Sequence, residues 1–212
     1  CSDVWYSVLV YARADEVRSA AGDVDVLVNN AGIVSGRPLL ELSDEHISRT
    51  FAVNTLALFW MTKAFLPAMK ARGSGHVVTV ASAAGLIGTA RETDYAASKF
   101  AAVGFNEALR QELRRGGCGV HTTVICPYYI DTGMFKGVKT RFPFLLPVLK
   151  EQDVADRVLK AIQRDQPQVQ MPFMVSTLPA MRLLPVWVFG LHRTVARAHL
   201  EKLGELGLVS TS

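Results

Sequence analysis

The chain has 212 residues, half of them apolar and 20% charged, with a formal net charge of +4. That is enough apolar material for a sizeable core, which excludes a disordered chain, and the positive charge is too thinly spread to bind nucleic acid. The three cysteines, Cys1, Cys118 and Cys126, have no metal-ligand spacing, so a reducing compartment and no metal site are expected.

Taken in chain order, "SVLVYA" (Ser7 to Ala12) looks like a strand by local propensity. Read on through Ala21, it also fits a helix burying Val8, Tyr11, Ala14 and Val17, and the helix is the preferred reading. The apolar run Val24 to Val28 leads into "NNAG" and reads as a buried strand entering a loop. Ser43 to Gly73 forms one long helix, with Ser43 as N-cap, acidic residues in its first turn and Gly73 as its stop. Pro67 is expected to kink it.

"GHVVTVAS" (Gly75 to Ser82) is the next strand, and Thr93 to Arg115 a second long helix ended by Gly116 and Gly117. A strand over Gly119 to Pro127, an amphipathic helix over Glu151 to Asp165 and a short strand over Gln168 to Phe173 follow. Such alternation predicts an α/β fold, a parallel sheet with helices on both faces.

Beyond Met171 the chain turns apolar, with Arg182 its one charge up to Leu191 and prolines at 172, 179 and 185 that argue against a straight membrane span. A basic group then follows: His192, Arg193, Arg197, His199 and Lys202. An extension over 174–212 that lies on a membrane surface, or packs as a lid, fits this pattern.

The chemistry centres on "TDYAASKFAAVGF". Tyr95 and Lys99 stand at i and i+4 and share one helix face. A free phenol is a poor base at neutral pH, and a neighbouring ammonium favours the phenolate, so the pair suits proton exchange with an alcohol or carbonyl oxygen. Ser82, at a strand end, is placed to hold the same oxygen, on the sheet edge where ligands usually bind. Alone, Tyr-x-x-x-Lys is a weak signal that many surface helices share.

Four further stretches accompany it: "NNAG" (Asn29 to Gly32), "VNT" (Val53 to Thr55), Ser82 and "CPYYIDTGM" (Cys126 to Met134). In order and spacing they resemble the classical short-chain dehydrogenase/reductases, over Asp3 to about Phe173. The resemblance implies a Rossmann-like, doubly wound catalytic domain over 1–173 and NAD or NADP as cofactor. It implies that Tyr95 is the acid/base, that Lys99 lowers its pKa and binds the nicotinamide ribose, that Ser82 orients the substrate oxygen and that Asn54 holds a relay water.

By the same resemblance Asn30, Ala31 and Gly32 line the adenosine side of the cleft. Pro127, Ile130 and Thr132 meet the nicotinamide end, and the Asp3–Val4 pair meets the adenine. Asn29 reads better as a tie between adjacent strands. None of the five histidines is assigned to catalysis.

"FWMTKAFLPAM", "SKFAAVGF", "DTGMFKG" and "TRFPFLLPVLK" resemble the membrane-associated retinol dehydrogenase and 17β-hydroxysteroid dehydrogenase branch. That implies a lipid alcohol or ketone as substrate and a cytosol-facing place on endoplasmic reticulum or lipid droplets, with a cytoplasmic protein as the alternative. Phe135, Phe142, Phe144, Leu145 and Leu146 would supply an apolar cleft. The resemblance also implies dimers, with itself or a relative, through the two long helices.

One departure stands out: the family's glycine-rich phosphate-cradling turn has no counterpart in this sequence. With Cys1 first and no Met before Met61, the expectation is that the first strands and that turn lie upstream. It follows that the strand Val24 to Val28 exposes an edge and that these 212 residues bind cofactor weakly. The competing readings are a catalytically inactive family member acting through dimerisation, and a soluble general ketone reductase.

Overall fold

The computed structural model describes residues 2–135, 144 and 146–183. Two compact units are present, residues 1–176 and 177–212. The first opens with helix α1 (Ser2–Ala21), so the helical reading of "SVLVYA" holds. The helix starts earlier than expected and takes Asp3 into its first turn. The Asp3 side chain lies outside the described residues, as do Phe142, Leu145 and the basic group from His192 to Lys202.

Four parallel strands form one sheet in the order β1 (Val26–Asn29), β2 (Gly75–Val80), β3 (Val120–Pro127) and β4 (Gln168–Met171). Each parallel step needs a crossover, and the sequence supplies a helix for each. Between β1 and β2 run α2 (Asp44–Phe51) and α3 (Ala57–Arg72); α4 (Thr93–Arg115) joins β2 to β3, and α5 (Glu151–Gln163) joins β3 to β4.

The caps are those the sequence implies. Ser43 accepts a hydrogen bond from the His46 backbone at the start of α2, and Gly73 ends α3 in the left-handed region at φ 72°. The expected single helix from Ser43 to Gly73 is interrupted by a π-helical turn, Ala52–Leu56. Helical geometry runs on through Pro67, so the departure from α geometry lies well before the proline, around Asn54 and Thr55.

One face of the sheet packs Leu27, Val77 and Val120 against Ala14 of α1, Phe65 and Met69 of α3, and Leu109 and Leu113 of α4. The other packs Val78, Ile125, Val169 and Met171 against Ala161 of α5. Neighbouring residues of β2 therefore enter different cores, which is why its sequence is apolar without strict alternation. At β1 the second face is uncovered: Val26 and Val28 are 41% and 47% exposed. Within the second unit, the described residues form a short helix, α6 (Leu178–Met181).

Candidate active site

A cleft of about 440 Å³ opens where β1, β2 and β3 end, the edge at which a parallel sheet exposes its loops to ligands. Asn30, Ala31 and Gly32 follow β1, Ala81 and Ser82 follow β2, and Pro127, Tyr128, Ile130, Thr132 and Met134 belong to the end of β3 and beyond. Tyr95 and Lys99 enter from α4. Apart from Asp3 and the buried Asn54, every residue singled out in the sequence for catalysis or cofactor binding lines this one cleft.

The first turns of α4 are tightly anchored. Lys99 is buried and its Nζ donates to the Val80 carbonyl at 2.9 Å. Its Nζ also lies 5.7 Å from the centre of the Tyr95 ring. Ser82 takes an extended backbone, and its hydroxyl accepts from the Ala84 N–H at 3.1 Å, which caps the short 3₁₀ turn Ala83–Gly85. That turn rests on α4: a Cβ added to Gly85 would stand 2.6 Å from the Lys99 carbonyl oxygen, so only glycine allows the approach.

Asn54 lies behind the cleft wall. Its Oδ1 accepts from the Ile33 N–H at 2.8 Å, and its Nδ2 donates to the Ile33 carbonyl at 2.9 Å and to Ser98 Oγ at 3.0 Å. Asn54 thus straps the chain after "NNAG" to α4, and the π turn supplies the aim. Ser98 completes the link by donating to the Tyr95 carbonyl at 2.7 Å. Asn29 does not tie two strands as expected; its Nδ2 donates to Thr62 Oγ1 of α3 at 3.4 Å.

Burial works against the charged forms of both Tyr95 and Lys99. Burial pushes the Tyr95 phenol up to about 12, against a hydrogen bond from Ser82 that draws it down, and the Glu92 charge raises it further. The same burial pushes Lys99 down to about 8, with the Cys126 sulfur acting the other way. In this protein, desolvation outweighs the mutual help that an exposed Tyr–Lys pair would give.

Several contributors had no signal in the sequence. Asp94 is buried, has no cation partner among the described residues and accepts from Ser35 and Thr50 at 3.0 Å each, which fixes the first turn of α4. Tyr128 lines the cleft, and Tyr129 reaches Glu92. Of the apolar residues expected to supply the cleft, Phe144 is 97% exposed. Among the described residues no group of three or more His, Cys, Asp or Glu side chains could hold a metal ion. His76 is the second residue of β2, toward the opposite end of the sheet, where it bonds Thr123 Oγ1 at 2.7 Å.

Comparison with known proteins gives this geometry a family. The model of the short chain dehydrogenase family matches residues 3–141. Retinol dehydrogenase 10 of Rattus norvegicus is 51% identical over 181 residues, 80% of this chain and 53% of that protein. Retinol dehydrogenase 10-B of Danio rerio is 47% identical over 191 residues, 85% of this chain and 56% of that protein. The chain spans about half the length of the curated relatives it matches. Among solved structures, a short chain dehydrogenase/reductase from Burkholderia phymatum in complex with NAD superposes with a TM-score of 0.72 at 28% identity, over 81% of this chain and 70% of that one. A 4-hydroxyisoleucine dehydrogenase complexed with NADH shares the fold, with a TM-score of 0.66 at 22% identity over 78% of this chain and 74% of that one. A cleft at the strand ends, entered by a tyrosine and a lysine from one helix, is what the family match covers, and the chain belongs to the short-chain dehydrogenases.

Proposed function

We propose that this chain carries the catalytic core of an NAD- or NADP-dependent oxidoreductase that interconverts a lipid alcohol, retinoid- or steroid-like, and its carbonyl. The observation that carries this reading is the convergence of Ser82, Tyr95 and Lys99 on one cleft whose other wall is Asn30–Gly32. The names of the relatives point to retinol as the alcohol to try first.

The residues present fit the nicotinamide end of such a cofactor. Gly32 leaves an opening that a Cβ would fill, 3.3 Å from Lys99 Nζ and 3.5 Å from Asn54 Oδ1. Lys99 would hold the ribose there, Pro127, Ile130 and Thr132 would flank the ring, and Asn30 and Ala31 would line the adenosine side. When bound, the cofactor supplies the hydride acceptor or donor.

The chain's own residues handle the proton and the orientation. A phenol held near 12 is fully protonated at neutral pH, which makes Tyr95 a donor to a carbonyl oxygen in the reducing direction. In the oxidising direction it must receive the alcohol proton as a phenolate. The Ser82 hydroxyl and the Lys99 ammonium stabilise that state. Ser82 turns the substrate oxygen toward Tyr95, and Asn54 keeps the Ile33 strap in register with α4. A water between Asn54 and Lys99 would complete a relay.

We also place the protein on a cytosol-facing lipid surface, endoplasmic reticulum or lipid droplet, where an apolar alcohol is concentrated. Support comes from the likeness to the membrane-associated branch. The helical run Asp44–Arg72 is long and apolar enough to cross a bilayer, yet Leu58, Thr62, Phe65 and Met69 bury one side of it. A dimer through α3 and α4 is the second partner reading; Phe59 of α3 is 45% exposed and meets the partly buried Phe105 of α4 edge-on at 4.7 Å.

The test is turnover of all-trans-retinol and of steroid alcohols with NAD and NADP, beside Tyr95→Phe. The reading predicts retinol oxidation that the variant lowers by about a hundredfold or more. Turnover that survives the substitution would overturn it.

A further inference from the structure

Glu92 stands at the N-cap of α4 yet makes no side-chain bond to its own helix. An N-terminal carboxylate usually caps, because the first backbone N–H groups lack partners. Here it reaches elsewhere. One oxygen accepts from Thr89 Oγ1, and the other accepts from the Tyr129 hydroxyl at 3.3 Å. The residue before it, Arg91, is held in the left-handed region at φ 67° and its Nε donates to the Gly36 carbonyl at 3.3 Å. A non-glycine residue keeps such a conformation only when its surroundings impose it. The loop before α4 is therefore tied to the strap after β1 on one side and to the segment after β3 on the other.

On the β3 side, Tyr129 is continuous with the cleft wall. Its ring packs edge-on against Tyr128 at 4.6 Å, and Tyr128 lines the cleft with Tyr95 and Ser82. The backbone around them is fixed at both ends: the Tyr128 N–H donates to Met171 O at 2.7 Å, and the Tyr129 carbonyl accepts from the Leu149 N–H at 2.8 Å. The two tyrosine rings are the parts that the backbone does not fix, and the carboxylate meets one of them.

We propose that Glu92 is a positioning residue: it braces Tyr129 against the start of α4 and thereby sets the Tyr128 ring as the aromatic wall against which an apolar alcohol lies beside Tyr95. The substrate part rests on the proposed oxidoreductase function; the brace itself does not. Glu92 touches no reacting atom. Its effect is on where the substrate lies, so it belongs to KM more than to kcat.

Hydrogen–deuterium exchange of the whole chain, with Glu92→Ala, Tyr129→Phe, the double variant and Glu92→Gln, tests the brace without any turnover. Glu92→Ala and Tyr129→Phe each raise exchange in 89–92 and also in 128–131, and the double variant adds nothing to either. Glu92→Gln, whose amide oxygen still accepts, stays close to the unaltered protein. Exchange that rises only in 89–92, or effects that add, would overturn the proposal. With retinol and cofactor, Glu92→Ala and Tyr129→Phe raise KM by about two- to tenfold, the worth of one hydrogen bond, and leave kcat within about twofold. A fall in kcat at constant KM would overturn the substrate part. Complete absence of turnover in the unaltered chain even at saturating cofactor would sink the oxidoreductase reading and leave the exchange result to decide the brace.

Discussion

Lys99 is a buried amine that donates to a backbone carbonyl, and its pH behaviour follows from its burial. Burial lowers it from the usual 10.5 to about 8 in the folded chain. Between those two values the unfolded chain holds more protons than the folded one, so stability rises with pH across roughly 8 to 10.5. Below 8 the whole desolvation penalty is present. A Lys99→Met variant is therefore expected to gain stability relative to the unaltered chain at pH 7, and to lose that advantage as pH climbs to 10.5. Urea unfolding at several pH values checks this, and a difference that does not change with pH would contradict it. Tyr95 carries the opposite sign: raised from 10 to about 12, it holds its proton longer when folded, so stability falls as pH rises between those values. Tyr95→Phe keeps the ring and removes that dependence, while its thermal midpoint at pH 7 stays close to the original.

The element that registers the site is the turn Ala83–Gly85, wedged between the end of β2 and the backbone of α4. Gly85→Ala would drive a methyl to 2.6 Å from the Lys99 carbonyl oxygen, and the turn, with Ser82, would have to move. Overpacking of this kind costs about 1–3 kcal/mol, and the expected outcome is a lower thermal midpoint together with lost turnover. Gly88→Ala, where an added Cβ meets nothing within 4 Å, is the control and is expected to change little. This dependence was not legible in the sequence, because a close approach of two backbones leaves no pattern in side chains. What was legible is local: α4 runs over the residues its periodicity implied, since its stop is written by Gly116 and Gly117, and Ser43 and Gly73 cap where their chemistry requires. The π turn at Ala52–Leu56 was not legible. One extra residue per turn is tolerated by many sequences, and its purpose, aiming Asn54 at Ile33 and Ser98, involves partners far along the chain. The effect of burial on the Tyr95 phenol was not legible for a related reason, since burial is a sum over the whole fold and the Tyr-x-x-x-Lys spacing records only one neighbour.

At the scale of the molecule, the sheet is covered on both faces at its two central strands and open on one face of the first. β2 and β3 send residues into both cores, whereas β1 leaves Val26 and Val28 about half exposed and, among the described residues, pairs on one side alone. An apolar strand with a free edge is a template for another chain. The 212-residue chain is therefore expected to associate as its concentration rises, in a way that Val28→Lys suppresses while the fold persists. Light scattering over a concentration series, with circular dichroism of the variant, decides this, and equal association of both proteins would point away from β1. The same edge bears on the cofactor. The described cleft offers residues for the nicotinamide and ribose, but no glycine-rich backbone turn for the pyrophosphate, where most of the charge of a dinucleotide sits. Calorimetric titration of this chain with NADH and NADPH should thus give affinities weaker than micromolar. Micromolar binding would mean that other residues, outside the cleft described, take the phosphates.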